Sequence, residues 1–324
     1  LNLWLPRPIK MAAMVSARSR WPLVAVIASL TLIGACTGSV DSESSGVGSP
    51  TTTSPCRTSA SGPVTYQYAE RQGTDPDRTS LDIYIPAGCG PVPVVVWVHG
   101  GGWRTGDKAA GQIERKVAWV ESIGAALAAV NYRLSTPDSG VMWPDHGADV
   151  AAAVAFIQQE GASLGLDTDR MVLLGHSAGA HLVSIVGTHP SLLTVAGGDP
   201  GQIACVIPLD FSFDLQTAPA RALIANAFGI DPEVLEDASS NIQIERNGAP
   251  GAKFLVGTRG GRIRVAEAQI FVELINERGG TAALLDANPY THNEISSQLG
   301  APEEEIVTPV VSAFAASCFA NPAP

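Results

Sequence analysis

A serine between two glycines occupies the segment G-H-S-A-G at residues 175–179. The apolar run 171–174 precedes this segment, and a helix-like stretch follows it. Glycines on both sides of a serine allow a tight turn between a strand and a helix, which holds the hydroxyl above the strand end. The pattern predicts that Ser177 is a nucleophile. The alternative is a glycine-rich turn with an incidental serine.

Three consecutive glycines follow a second apolar run. Residues 92–98 are apolar, and H-G-G-G follows at residues 99–102. Attack on an acyl carbon produces an oxyanion, and glycines allow backbone N–H groups to approach it within about 3 Å. We expect Gly101 and Gly102 to donate these N–H groups, together with Ala178. A phosphate-binding loop is the competing interpretation, but this segment lacks the spacing G-x-G-x-x-G and a following Lys-Ser/Thr.

A general base for Ser177 should be a histidine that follows the last strand. His292 has this position, in P-Y-T-H-N-E at residues 289–294, shortly after the apolar run 282–285. The remaining histidines are expected to hold loops, to pack or to lie at the surface: His99, His146, His176, His181 and His189.

Strand-like and helix-like segments alternate along the chain. The strand-like segments are 64–69, 80–85, 92–98, 125–130, 171–174, 205–209, 254–256 and 282–285. The helix-like segments are 110–123, 144–161, 178–187, 265–278 and 302–319. Alternation of this kind predicts a mostly parallel sheet with helices on both faces.

From about residue 66 to residue 319 the chain resembles the α/β-hydrolase superfamily. It is most similar to the HGGG esterases grouped with hormone-sensitive lipase, feruloyl-esterase-like enzymes and arylformamidases. Besides the two glycine motifs, N-Y-R-L at residues 131–134 and Asp169-Arg170 resemble family segments, and Asp149 matches an acid that supports the scaffold. The resemblance implies an α/β-hydrolase fold with a mostly parallel central sheet of about eight strands, helices on both faces and a small lid at about 215–247.

The resemblance also implies an acid after the seventh strand, and this acid is missing. The segment 253–264, KFLVGTRGGRIR, has Gly260 at the matching position. A triad without its acid loses what orients the imidazole and stabilises the imidazolium, at a cost of about 10⁴ in rate. We therefore expect another carboxylate to replace it.

Four carboxylates are candidates for this replacement. Asp210 is favoured, because it ends the sixth strand-like segment and some lipases of this fold carry their acid there. Asp214 is the next candidate, although it matches an acid that more often braces the lid. Glu267, Asp286 and a triad without an acid complete the alternatives. The arginines at 259, 262 and 264 are expected to lie in a solvated loop or to pair with nearby acids.

These residues favour a serine hydrolase that cleaves small-molecule carboxylic esters through an acyl-enzyme on Ser177. No metal or organic cofactor is implied. Two alternatives remain: an arylformamidase or other amide hydrolase with the same triad, and a non-catalytic hydrolase-like binding protein at the cell surface. The missing acid is the only support for the second alternative.

The N-terminal residues predict export. Residues 1–35 are interpreted as upstream residues and a signal peptide, because two arginines are followed by a short apolar run and small residues. L-I-G-A-C at 32–36 resembles a bacterial lipobox, so we expect Cys36 to carry lipid and to anchor an outward-facing lipoprotein. Plain secretion is the alternative. Residues 36–61 read as a flexible tether rich in Ser, Thr, Gly and Pro, and 62–324 as the hydrolase domain.

Charge and cysteine content agree with an exported domain. Beyond residue 35 the chain has 16 basic and 31 acidic residues, a net charge of −15, which disfavours nucleic acids and anionic membrane surfaces as partners. Membrane contact is therefore expected through the lipid alone, and the oligomeric state is not indicated. Four further cysteines predict two disulfides, for which we favour Cys56–Cys89 and Cys205–Cys318 over buried free thiols.

Overall fold

The computed structural model describes residues 56–320. The predicted signal peptide, Cys36 and most of the predicted tether lie outside these residues. None of the described helices combines the length and the apolar character that a membrane span requires.

The described residues form an eight-stranded sheet with helices on both faces, which confirms the predicted fold class. The strands are β1 (Ser61–Gln67), β2 (Ser80–Ile85), β3 (Val92–Val98), β4 (Ala126–Val130), β5 (Leu166–His176), β6 (Ile203–Leu209), β7 (Lys253–Thr258) and β8 (Ala282–Asp286). The helices are α1 (Ile113–Ser122), α2 (Asp145–Leu164), α3 (Ala178–Thr188), α4 (Pro190–Val195), α5 (Arg221–Phe228), α6 (Pro232–Asp237), α7 (Ser240–Asn247), α8 (Arg262–Glu277), α9 (His292–Gln298) and α10 (Thr308–Ala320).

The order of strands in the sheet is β1-β2-β4-β3-β5-β6-β7-β8. β2 is antiparallel to both of its neighbours, and all pairs from β4 to β8 are parallel. The carboxyl ends of β3, β5, β6, β7 and β8 therefore meet at one edge of the sheet. In open α/β sheets this edge is where ligands bind.

The core lies on both faces of the sheet, so β3 is apolar at every position. In β3, Val94, Val96 and Val98 face one cluster with α2, α3 and α8. Val95 and Trp97 face the other cluster with α1, α9 and α10. Coverage on both faces explains why β3 reads as a continuous apolar run and not as an alternating one.

Several element boundaries differ from those predicted. α1 begins at Ile113 and not at 110, because Gly111 and Gln112 adopt left-handed backbone conformations. α10 begins at Thr308 and not at 302, because the Glu304 carboxylate accepts the N–H groups of Ile306 and Val307 at 2.6 and 2.7 Å and so stabilises a turn before the helix. The predicted lid segment contains three short helices, α5, α6 and α7.

Both predicted disulfides are present. Cys56 is bonded to Cys89, and Cys205 of β6 is bonded to Cys318 of α10. Beside the first disulfide, Arg57 and Gly88 exchange two backbone hydrogen bonds of 2.8 and 3.0 Å. The described end of the predicted tether is therefore bonded to the domain by this disulfide and these hydrogen bonds.

Candidate active site

Ser177 occupies a sharp turn between β5 and α3. Its backbone has φ 57° and ψ −122°, a conformation that non-glycine residues rarely adopt. The flanking glycines are required by close backbone contacts: a Cβ on Gly175 would lie 2.3 Å from the Gly179 carbonyl oxygen, and one on Gly179 would lie 2.1 Å from that of Val98. The turn places the Ser177 hydroxyl at the carboxyl edge of the sheet.

His292 joins Ser177 and Asp210 in one hydrogen-bonded chain. Its Nε2 lies 2.8 Å from Ser177 Oγ, and its Nδ1 lies 2.6 Å from Asp210 Oδ2. An ionised carboxylate only accepts hydrogen bonds, so Nδ1 carries the ring proton and Nε2 accepts the hydroxyl proton. The three residues follow three different strands and meet because β5, β6 and β8 end at the same edge.

Asp210 is buried and surrounded by cationic groups. Arg259 Nε lies 2.7 Å from its Oδ2, and Arg264 lies 3.2 Å from its Oδ1. Burial alone raises the pKa of Asp210, but the hydrogen bond with His292 and the two arginines outweigh it and hold the pKa below its usual value. The carboxylate is therefore ionised at neutral pH.

The segment that lacks the expected acid supplies these two arginines. Gly260 has φ 87°, and its N–H donates to Asn288 Oδ1 at 2.9 Å. Asp210 comes from the neighbouring strand β6, and its own N–H donates to the Gly257 carbonyl at 2.8 Å. The segment KFLVGTRGGRIR thus places two positive charges beside the candidate acid, Arg259 from the loop after β7 and Arg264 from α8, without contributing a carboxylate.

The competing carboxylates have other partners. Asp214 accepts the N–H of Gln216 at 2.9 Å, and Glu267 accepts the Ser212 hydroxyl at 3.2 Å. Asp286 accepts the backbone N–H and the side-chain amide of Asn288. Between residues 56 and 320, Asp210 alone places a carboxylate within hydrogen-bonding distance of the His292 ring.

The glycine loop after β3 packs directly against Ser177. A Cβ on Gly100 would lie 3.0 Å from the Ser177 Cβ, and one on Gly101 would lie 2.0 Å from the Thr105 carbonyl oxygen. Within the described chain, no protein acceptor takes the N–H groups of Gly101 or Gly102, and both residues line the cavity above Ser177. These N–H groups can therefore serve a bound oxyanion.

Ala178 follows Ser177 directly and is the first residue of α3. The first N–H groups of a helix have no acceptor within the helix, and the partial positive charge of the helix N-terminus favours a negative group there. The Ala178 N–H is thus a third candidate donor.

Two histidines fix the loops around the site. His99 Nδ1 donates to the Gly100 carbonyl at 2.7 Å, and its ring stacks on Tyr132. His176 Nε2 donates to the His292 carbonyl at 2.7 Å. Burial lowers the pKa of both imidazoles to about 4, so both rings are neutral at pH 7. Neither contacts the Ser177 hydroxyl.

The other polar residues named in the sequence analysis do not contact Ser177. Asp149 is buried and forms a two-pronged ion pair with Arg133, as expected for a scaffold residue. His146 forms a hydrogen bond with Ser135, His181 with the Ala238 carbonyl, and His189 with Asp237.

A cavity of about 490 Å³ opens above Ser177. The glycine loop forms one wall, and Leu223 of α5 packs against it: a Cβ on Gly102 would lie 3.0 Å from Leu223 Cδ1. Gln112, Asn293 and Ser296 also line this cavity. No sequence motif includes these three residues, and they reach the cavity through the contacts between α1 and α9.

Replacing Arg259 with Gln is expected to lower the free energy of unfolding at pH 7 by about 2 kcal/mol, because it removes a charged hydrogen bond from a buried carboxylate. Because the pKa of Asp210 is lower in the folded protein than in the unfolded chain, its ionised carboxylate stabilises the fold at pH values above the unfolded pKa of about 3.9. This stabilisation is lost as pH falls through the pKa of the folded protein. The difference in the free energy of unfolding between wild type and Arg259→Gln should therefore persist from pH 7 to 5 and shrink below about pH 4.

Urea unfolding at several pH values measures this effect, with Arg262→Gln as the matched control. Arg262 is exposed in the same segment and does not contact Asp210. Equal urea midpoints for Arg259→Gln and Arg262→Gln at pH 7 would contradict the role of the ion pair.

Comparison with known proteins agrees with this fold. The family model described as BD-FAE matches residues 81–197. The probable carboxylic ester hydrolase LipM of Mycobacterium tuberculosis is 34% identical over 114 residues, which are 35% of this chain and 24% of that protein. The probable isoprenylcysteine alpha-carbonyl methylesterase ICMEL1 of Oryza sativa is 27% identical over 68% of this chain and 56% of its own length. The chain thus spans less than two thirds of these relatives.

Solved structures share the architecture at low identity. A phosphonate-inhibited esterase B from Lactobacillus rhamnosis superposes with a TM-score of 0.62 at 20% identity, covering 82% of this chain and 88% of that one. Apo esterase 2 from Thermogutta terrifontis superposes with a TM-score of 0.61 at 20% identity, covering 78% and 91%. Sheet order, the turn at Ser177 and these similarities agree that the described residues have an α/β-hydrolase fold.

Proposed function

We propose that the protein is a serine carboxylesterase that uses Ser177 as nucleophile, His292 as general base and Asp210 as the acid of the triad. The observation that carries the proposal is the hydrogen-bonded chain from Ser177 Oγ through His292 to Asp210, at 2.8 and 2.6 Å. It lies beside the N–H groups of Gly101 and Gly102 in an open cavity. The printed names of LipM and ICMEL1 support ester hydrolysis as the activity.

The proposed reaction begins when Ser177 Oγ attacks the acyl carbon of a small-molecule ester. His292 Nε2 takes the hydroxyl proton, and the carbonyl oxygen becomes an oxyanion that accepts the N–H groups of Gly101, Gly102 and Ala178. The Asp210 carboxylate stabilises the imidazolium. His292 then returns its proton to the alcohol oxygen as the bond to the acyl carbon breaks, which leaves an acyl-enzyme.

Water completes the cycle. His292 Nε2 removes a proton from a water molecule, whose oxygen attacks the acyl carbon of the acyl-enzyme. Collapse of the second oxyanion breaks the bond to Ser177 Oγ, which recovers its proton from His292. The products are a carboxylic acid and the regenerated hydroxyl of Ser177.

A panel of chromogenic substrates tests the choice of bond. We expect hydrolysis of short p-nitrophenyl esters and none of formylkynurenine or peptide p-nitroanilides. Hydrolysis of formylkynurenine or an anilide at a kcat/KM equal to that of the esters would replace the proposal with an amide hydrolase that uses the same residues.

We further propose that the protein works outside the cytoplasm, anchored through lipid on Cys36. The disulfides Cys56–Cys89 and Cys205–Cys318 support an oxidising environment. Metabolic labelling with a radioactive fatty acid should mark the wild type and not Cys36→Ala. Labelling of both would place the acyl group on another residue, and labelling of neither would favour plain secretion.

A further inference from the structure

The short helix α9 determines where the His292 ring lies, because His292 is its first residue. A capping box closes the N-terminus: the Glu294 carboxylate accepts the Thr291 N–H, and the Thr291 hydroxyl accepts the Glu294 N–H. At the other end, the last carbonyl groups of a helix have no N–H partner within the helix. They need hydrogen-bond donors from elsewhere. In the last turn of α9, the Gln298 carbonyl accepts the Ala301 N–H at 2.8 Å.

Two consecutive basic residues of α1 supply the missing donors. Lys116 Nζ donates to the Ser296 carbonyl at 2.8 Å, and Arg115 donates to the Ser297 carbonyl at 3.0 Å. Cations at a helix C-terminus also interact favourably with the helix dipole. The last turn of α9 is therefore fixed to α1 by two charged donors, one turn away from His292.

Lys116 is the more constrained of the two residues. Its side chain is buried, and its Nζ also donates to the Gly111 carbonyl at 2.6 Å and lies 4.8 Å from the centre of the Trp97 ring. Gly111 and Trp97 both line the cavity above Ser177. The Lys116 ammonium group thus contacts the loop before α1 at Gly111, the cavity-lining residue Trp97, and α9 at Ser296.

We propose that Lys116, assisted by Arg115, is a positioning residue for catalysis that holds α9 so that the His292 ring stays in line between Ser177 and Asp210. Burying a lysine in a protein core costs free energy, because its charge must be desolvated. An apolar side chain would fill this position but could not bind the carbonyl groups of Gly111 and Ser296. The proposal rests on the proposed esterase function of the same site.

The charge of Lys116 is sensitive to pH. Burial and the neighbouring Arg115 lower its pKa to about 8, and Glu114 opposes this effect. From the sheet, His176 is the titratable group that interacts with it, and from α9 it meets the Ser296 carbonyl. As pH rises through about 8, the ammonium loses its charge and its bonds to the two carbonyls weaken. An arginine at this position would stay charged.

The test compares Lys116→Met, Arg115→Met and Lys116→Arg with wild type. Steady-state hydrolysis of a p-nitrophenyl ester gives kcat and KM between pH 6 and 10, and the rate of reaction with a fluorophosphonate reports the reactivity of Ser177. We expect Lys116→Met to lower kcat and the labelling rate about 10- to 100-fold with little change in KM, and Arg115→Met to lower them less. Wild-type kcat should fall above pH 8, and Lys116→Arg should retain its kcat there.

Lys253→Met is the matched control, because Lys253 begins β7 at the opposite edge of the sheet and should leave kcat unchanged. A folded Lys116→Met protein with wild-type kcat and pH profile would overturn the proposal. If Lys116→Met does not fold, identical alkaline profiles for wild type and Lys116→Arg would overturn it. A wild type that neither hydrolyses esters nor reacts with the fluorophosphonate would instead refute the proposed function.

Discussion

Replacing His292 with Ala is expected to lower kcat for ester hydrolysis by about 10⁶, with KM nearly unchanged. Without the imidazole, no group in the described chain contacts Ser177 Oγ in a position to take its proton. The fold should persist, because His292 is half-exposed and its neighbours Thr291 and Glu294 still cap α9. Steady-state kinetics with a p-nitrophenyl ester measures the loss, and thermal unfolding checks the fold.

His189→Ala is the matched control for this experiment. His189 lies at the end of α3, binds Asp237 and does not contact Ser177. It should retain wild-type kcat. A His292→Ala protein with more than a hundredth of the wild-type kcat would show that another group acts as the base.

Replacing Asp210 with Asn is expected to lower kcat by about 10⁴. An amide can donate a hydrogen bond to His292 Nδ1, which favours the tautomer with the proton on Nε2, and that nitrogen can then no longer accept the Ser177 proton. The amide also lacks the charge that stabilises the imidazolium. The loss should appear in kcat at every pH between 6 and 9 rather than as a shift of the pH profile.

Asp214→Asn serves as the comparison, because Asp214 follows the same strand but binds the Gln216 N–H instead of His292. Asp214→Asn should keep kcat within a factor of about two, because Asp214 contacts neither His292 nor Ser177. Equal and mild losses in the two variants would exclude Asp210 as the acid of the triad.

The Ser177 turn and the glycine loop could be predicted from sequence because their determinants are local. A contact with the Gly179 carbonyl, four residues further along, requires Gly175, and each motif follows directly on a buried strand. The order of strands in the sheet then brings the two motifs together, since β3 and β5 are neighbours. The candidate nucleophile is thus predicted by a strand, a turn and a helix that are continuous in the chain.

The surroundings of Asp210 could not be derived in the same way. The ion pairs with Arg259 and Arg264 join residues about 50 positions apart, and they form only because β6 and β7 are adjacent. From the sequence, these arginines are compatible with a solvated loop or with ion pairs. Asp210 is favoured by its position at the end of a strand and by the resemblance to lipases that carry their acid there. Their charges offset the cost of burying the carboxylate, which no single segment of the sequence reveals.

The helix that carries His292 was missed although a signal for it is present. Thr291 and Glu294 have the spacing of a capping box, which predicts a helix that begins at His292. At seven residues, α9 is too short to show a helical period in its apolar residues. Its stability comes from caps at both ends, and the basic residues that cap its C-terminus lie 180 residues earlier in the chain.

Reaction of the protein with a fluorophosphonate, followed by mass spectrometry of the digested adduct, tests the assignment of the nucleophile most directly. We expect one adduct per chain, on the peptide that contains Ser177, no adduct in Ser177→Ala, and very slow labelling in His292→Ala. An unlabelled wild type would identify a non-catalytic hydrolase-like protein, and labelling that persists in Ser177→Ala would place the nucleophile elsewhere. Either result would contradict a serine hydrolase built on Ser177, His292 and Asp210.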